Sequence, residues 1–118
     1  MKIKLRKFKL SDLEEVMKIE KVSFLRREVF SKSLFERYYK EYPEGFLVAK
    51  NENEVVGYAI GKPNNDRAQI ISLAVKPGWR QKGIGTRLTN SLIKHFKERG
   101  IKEISLSVRT KNKIAISF

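Results

Sequence analysis

The chain of 118 residues has no cysteine, one histidine (His95), one tryptophan and three prolines. Without cysteine there can be no disulfide, thiolate metal ligand or cysteine nucleophile, and one imidazole is too few for a multi-histidine metal site. Most hydrolase triads are excluded with them. No run of about 18 apolar residues occurs, and Met1-Lys2-Ile3-Lys4-Leu5-Arg6-Lys7 alternates apolar with basic where a signal peptide would be apolar throughout. A cytoplasmic protein with no membrane partner is expected. Negative charge is also scarce, with 13 Asp plus Glu against 26 Lys plus Arg and a net charge of +13. Such a field gathers anions, whether nucleic acid, acidic protein or a phosphorylated cofactor. It is spread along the whole chain, as on a solvated lysine-rich surface, so charge alone does not choose among them. What is present, 41% hydrophobic and 33% charged residues, suits one folded domain over residues 1–118.

Residues 2–7 place Ile3 and Leu5 opposite Lys2, Lys4 and Arg6, the period of a half-buried strand. Ser11-Asp12-Leu13-Glu14 has capping-box spacing, and Leu13, Val16, Met17 and Glu20 follow at helical intervals, predicting a helix to about Val22. Residues 25–30 have no clean period. Ser31 and Ser33 can cap a second helix carrying Leu34, Phe35, Tyr38 and Tyr39, which should end near Tyr42-Pro43-Glu44-Gly45. Strand grammar follows. Residues 46–49 and 55–60 predict a hairpin about Asn51-Glu52-Asn53-Glu54, with a second turn at Pro63-Asn64-Asn65-Asp66. Residues 68–75 are nearly all apolar, as in a central strand buried on both faces. Ile84, Leu88, Leu92 and Phe96 then recur every four residues, and Gly100 stands where a helix stops. Residues 101–108 alternate as a strand that the right-handed crossover places parallel to 68–75, while 113–118 read as the start of a further helix. The order β-α-α-β-β-β-α-β predicts an α/β fold with one mixed, mostly antiparallel sheet and helices on both faces.

The chemistry should lie at the mouth of the 84–96 helix. Gly83 and Gly85 let backbone N–H groups approach an anion, the helix dipole favours negative charge there, and Arg80, Lys82 and Arg87 add formal positive charge. Two familiar phosphate loops fail the spacing. Gly78 and Gly83 match Walker A in separation, but Ile84-Gly85 follow where Lys-Ser/Thr is required. Gly83-Ile84-Gly85 opens a dinucleotide fingerprint, yet Leu88 replaces its third glycine and a loop containing Pro77 parts it from the strand.

A third pattern, Arg/Gln-x-x-Gly-x-Gly/Ala, fits Arg80-Gln81-Lys82-Gly83-Ile84-Gly85. Together with Ile71-Ser72-Leu73-Ala74-Val75-Lys76-Pro77 before it and Asn112-Lys113-Ile114-Ala115-Ile116 after it, the chain resembles the GNAT superfamily of N-acetyltransferases, in its protein N-terminal and ribosomal-protein alanine branch. That resemblance implies acetyl-CoA as cosubstrate. Its pyrophosphate would lie on the amides of Gln81, Lys82, Gly83, Ile84, Gly85 and Thr86 beside Arg80, its pantetheine arm along Leu73, Ala74 and Val75, and Asn112 would touch it. A strand edge can pair with the pantetheine amides, and the same edge can polarise a thioester carbonyl. The acceptor implied is a protein or peptide N-terminus, with ribosome association suggested by the positive charge.

Acyl transfer to an amine also needs a base and an acid. By the resemblance, Glu28 falls on a glutamate between the first two helices and is the base candidate, while Gln69 replaces a histidine that relatives carry on the central strand and cannot act as a base. Glu20 and Asp66 remain as carboxylates acting through water, and His95 reads as a surface residue. The family's general acid is a tyrosine that would fall just after Phe118, followed by two further strands, so the resemblance implies a fold lacking its last strands, a fragment or an inactive copy. An uncovered sheet edge would favour a homodimer. Other classes remain: a catalytically dead acyl-CoA sensor, a small-amine acetyltransferase, or a basic nucleic-acid module using Lys2, Lys4, Arg6, Lys7 and Phe35-Glu36-Arg37-Tyr38-Tyr39-Lys40. The last has no legible helix-turn-helix, zinc site or aromatic RNA-binding strand, which argues against nucleic acid as partner.

Overall fold

The computed structural model describes residues 2–106 and 114–117, the latter by their backbone alone. Its elements are β1 (Ile3–Lys7), α1 (Leu13–Ser23), α2 (Lys32–Glu41), β2 (Phe46–Asn51), β3 (Glu54–Asn64), β4 (Arg67–Val75), α3 (Ile84–Glu98), β5 (Glu103–Leu106) and β6 (Ile114–Ser117). The strands form one sheet in sequential order. All neighbours are antiparallel except β4 and β5, which are parallel because α3 crosses between them.

Each sheet face has its own core. Ile84, Leu88, Leu92 and Phe96 of α3 are buried on Val56, Ala59, Ile70 and Ile104. Val16 and Ile19 of α1 and Phe35 of α2 are buried on Phe46, Val48, Tyr58 and Ile60, where Phe8 stacks on Phe46 with ring centroids 4.0 Å apart. The apolar stripes read from the sequence are therefore the stripes that fold inward. Gly61 is required by this packing, since a Cβ there would stand 2.6 Å from the Phe96 ring.

Four local expectations are corrected. Ser11 does not cap α1; a 3-10 turn, Leu10–Asp12, comes first, and the Asp12 carboxylate accepts the Lys9 amide at 2.8 Å. Pro63 and Asn64 continue β3, leaving a tight turn at Asn65-Asp66 that Asn65 closes with φ 59°. Residues 114–117 form a strand, not a helix start, pairing from Leu106↔Ile114 to Glu103↔Ser117. Partners along the β5 edge decide this, and alternating isoleucines suit a pleat better than a helix.

The fourth correction shapes the site. β4 is not buried uniformly on both faces, because Ile60 of β3 faces Ser72 while Gly61 faces Ile70, leaving Ile71 as an extra residue. A bulge of this kind reverses the alternation. Ala68 and Ile70 face α3 before it; Leu73 and Val75 pack on that side after it, and Ala74 belongs to the α1 side. Pairing of β4 with β5 covers Arg67↔Glu103 through Ile70↔Leu106, so among the described residues 71–75 have a strand neighbour only in β3.

Candidate functional site

Lys76 donates its amide to Val56 on β3 at 2.7 Å, so strand alternation turns the N–H and C=O groups of Leu73 and Val75 the other way, to the free edge. That edge borders a cleft of about 340 Å³ lined by Ser23, Phe24, Leu73, Ala74, Val75, Arg80 and Gly85. A second hollow of about 240 Å³ continues past Val75 and Arg80 over Trp79, Gln81, Gly83, Ile84, Gly85 and Thr86. A single trough results, with strand backbone along one half and a helix N-terminus at the other.

The turn between them is fixed by backbone chemistry. Pro77 and Gly78 (φ 88°) make a tight turn closed by the Trp79 amide on the Lys76 carbonyl at 3.0 Å. Gln81 and Gly83 both take left-handed φ, 62° and 79°, and Gly83 is the N-cap of α3. The first bond within α3 runs from the Arg87 amide to the Gly83 carbonyl at 3.0 Å, so the amides of Ile84, Gly85 and Thr86 have no acceptor in the helix. The ground beside the N-cap is open, since a Cβ at Gly83 would meet nothing within 4 Å. Two phosphates linked to an amide-bearing arm fit this donor set, the phosphates on the helix amides and the arm on the strand edge.

The candidate residues do not all stay together. Leu73, Ala74, Val75, Arg80, Gln81, Gly83, Ile84, Gly85 and Thr86 line the trough, and exposed Lys82 lies within its loop. Arg80 is already engaged, its Nε donating to the Val75 carbonyl at 2.8 Å and its Nη2 to Ser23 Oγ at 3.2 Å. Arg87 is not a phosphate group here: its guanidinium donates to the Ile3 carbonyl at 2.9 Å, tying α3 to β1. Glu28 closes a 3-10 turn, Arg26–Glu28, and is half-buried; it does not itself line the cleft, which Ser23 and Phe24 before that turn do. Asp66, exposed in the β3–β4 turn, sits at the opposite end of β4, roughly 30 Å of strand away. His95 lies in the last turn of α3, its ring 5.3 Å from Phe96. Asn112 lies outside the described residues, as do Ser107 and Val108.

Glu20 is the main surprise. It is fully buried and surrounded by donors, not open to water, and only its place on the apolar stripe of α1 signalled this.

The trough and the strand order carry a family assignment. Residues 13–118 match the profile of the acetyltransferase (GNAT) family. The chain belongs to that family. It is 37% identical over 115 residues to an uncharacterized N-acetyltransferase of Methanocaldococcus jannaschii, covering 97% of this chain and 72% of that protein. An N-alpha-acetyltransferase of Sulfurisphaera tokodaii is 31% identical, covering 98% and 75%. Among solved structures, Ard1 from Thermoplasma volcanium superposes with a TM-score of 0.85 at 29% identity, covering 95% of this chain and 75% of that one. As a GNAT acetyltransferase the chain needs an acyl donor and an acceptor amine.

Proposed function

We propose that the protein transfers an acetyl group from acetyl-CoA to the N-terminal α-amino group of a protein or peptide. The observation that carries the reading is the continuous trough formed by the free β4 edge and the open amides of α3. The likeness to an N-alpha-acetyltransferase supports the acceptor class. Bound here, acetyl-CoA would supply a thioester whose carbonyl carbon is open to attack by an amine. The chain's own part is to hold and to polarise. Amides of Gly83, Ile84, Gly85 and Thr86 receive the pyrophosphate with Lys82 close by, and Leu73 and the N–H of Val75 pair with the arm, the Val75 carbonyl being held by Arg80. An outward N–H of the edge donates to the thioester oxygen as charge develops on it. The acceptor enters between that edge and the α1–α2 connection, where Glu28 accepts the proton of the attacking amine; the C–S bond would break as the amide forms, and the departing coenzyme A thiolate would take a proton from solvent. Among the described residues no helix is long and apolar enough to cross a membrane.

Titration calorimetry with acetyl-CoA tests the donor site. The parent chain should bind, and Gly83→Glu, which adds a side chain at φ 79° and a like charge facing phosphate, should reduce affinity at least 100-fold while keeping its circular dichroism. A folded parent that does not bind overturns the reading. An acetylation assay on a peptide library then tests the acceptor, and spermidine outcompeting every peptide would replace the protein N-terminus by a small amine.

A further inference from the structure

Glu20, in the last turns of α1, has 0% exposure. Its carboxylate joins three other parts of the fold. Oε2 accepts the backbone amide of Phe30, in the α1–α2 connection, at 2.7 Å. Oε1 accepts the hydroxyl of Tyr58 on β3 and, at 3.5 Å, that of Ser72 on β4. The single Ser72 hydroxyl proton is shared with the Tyr58 oxygen, the nearer acceptor at 3.1 Å, which closes the cluster.

A buried carboxylate is a costly way to hold a fold together, since apolar groups of similar volume commonly do as well. Its position is informative. Ser72 stands next to Leu73, just after the bulge at Ile71 where β4 leaves β5. Phe30 stands two residues after Glu28, at the far end of the α1–α2 connection, whose first residue, Phe24, lines the cleft. Within that connection the other backbone bonds are local, Glu28 to Leu25 and Val29 to Arg26, and the Phe30 ring rests on Phe35 and Tyr38 of α2. The Glu20–Phe30 bond therefore ties the connection to the same point as the β4 edge. Carboxylate oxygens can accept from all these donors at once, whereas the amide nitrogen of a glutamine cannot accept from any of them.

We infer that Glu20 is a positioning residue for acyl transfer, holding the α1–α2 connection in register with the free edge of β4 so that acceptor amine and acyl carbon meet. The inference rests on the acetyltransferase reading above. It requires that loss of Glu20 misplace the acceptor wall while the amides of α3, one element away, keep their coenzyme.

Three variants test it: Glu20→Gln, Glu20→Ala and Tyr58→Phe. Each is measured well below its melting temperature for the acetyl-CoA dissociation constant, for kcat and KM with an N-terminal peptide, and for trypsin cleavage after the exposed Arg26 and Arg27. Glu20→Gln should bind acetyl-CoA within twofold of the parent, lose about 100-fold in kcat/KM for the peptide, the scale of a 1 Å misplacement, and be nicked faster at Arg26 and Arg27. Tyr58→Phe should shift in the same direction by less, and if Glu20→Ala does not fold these two variants still decide. Parental kcat/KM in Glu20→Gln overturns the inference, as does a loss of coenzyme binding equal to the loss of activity. Should the parent acetylate no peptide, the functional reading fails, and tryptic nicking then decides the anchoring alone: faster in Glu20→Gln upholds it, unchanged overturns it.

Discussion

Asp12 shows what one buried carboxylate does when its partners are complete. It is 3% exposed and accepts both arms of the Arg6 guanidinium at 2.8 Å and the Lys9 amide at 2.8 Å. Burial pushes its pKa upward, but the Arg6 fork, the Lys9 amide and the nearby Lys50 charge outweigh that and hold the carboxyl below its ordinary 3.8. A depressed carboxyl contributes stability that is complete above its unfolded value and is lost as pH falls through its folded one. Asp12→Asn should therefore cost about 2 kcal/mol near neutrality, and the difference between variant and parent should shrink below about pH 4; denaturant melts across that range check it. Gly61→Ala is a steric counterpart. With its Cβ forced against Phe96, it should lose about 1–3 kcal/mol in the same melts. At this scale the sequence was legible where backbone conformation demands a residue type, as at Gly83, and blind where a long side chain chooses between partners. Arg87 could have faced a phosphate or the Ile3 carbonyl, and spacing alone cannot tell which.

Elements were legible wherever their own periodicity matched what they pack on. α3 is the clearest, since its residues at every fourth position meet a flat sheet face, and α2 is capped where serine chemistry predicts, with Ser31 Oγ accepting the Leu34 amide at 3.2 Å. Ser31→Ala should accordingly destabilise the chain by about 1 kcal/mol in thermal melts, with acetyl-CoA affinity unchanged because α2 does not line the trough. β4 was legible as a strand but not as a bulged one, because a run of apolar residues looks the same whether alternation is kept or reversed. The extra residue at Ile71 is visible only through the register with β3. β6 was misread for a related reason: four residues carry too little period, and the free edge of β5 supplied the pairing. The glycines at the mouth of α3 were therefore readable, while the contacts of Glu20 with Phe30 and Tyr58 join parts of the chain that no local pattern connects.

Over the whole molecule the net charge of +13 is unevenly answered. Lys7, Arg37 and Lys76 have carboxylate partners, and Arg6 has Asp12. Lys4 instead faces Lys50 directly across β1 and β2, a like-charge pair that costs stability, in a cleft of about 660 Å³ that Lys2, Arg6 and Glu52 also line, with Asp12 close to Arg6 and Lys50. Among the described residues Lys2, Lys4 and Lys50 form no salt bridge. If the surface binds polyanions, the binding should concentrate at this edge and be separable from the acetyl-CoA trough, since β2 and β3 lie between β1 and β4, a distance of roughly 14 Å across the sheet. Fluorescence anisotropy with a labelled 20-nucleotide RNA should show weak binding that falls steeply between 50 and 200 mM salt. Lys4→Glu with Lys50→Glu should abolish it, while Lys94→Glu with Lys102→Glu, the same change in net charge on exposed sites elsewhere, should leave most of it. Equal losses in both double variants would show that the protein attracts RNA through net charge alone, with no preferred edge. Acetyl-CoA affinity should be unchanged in either double variant, because the α3 N-terminal amides proposed to hold its phosphates are touched by neither pair of substitutions.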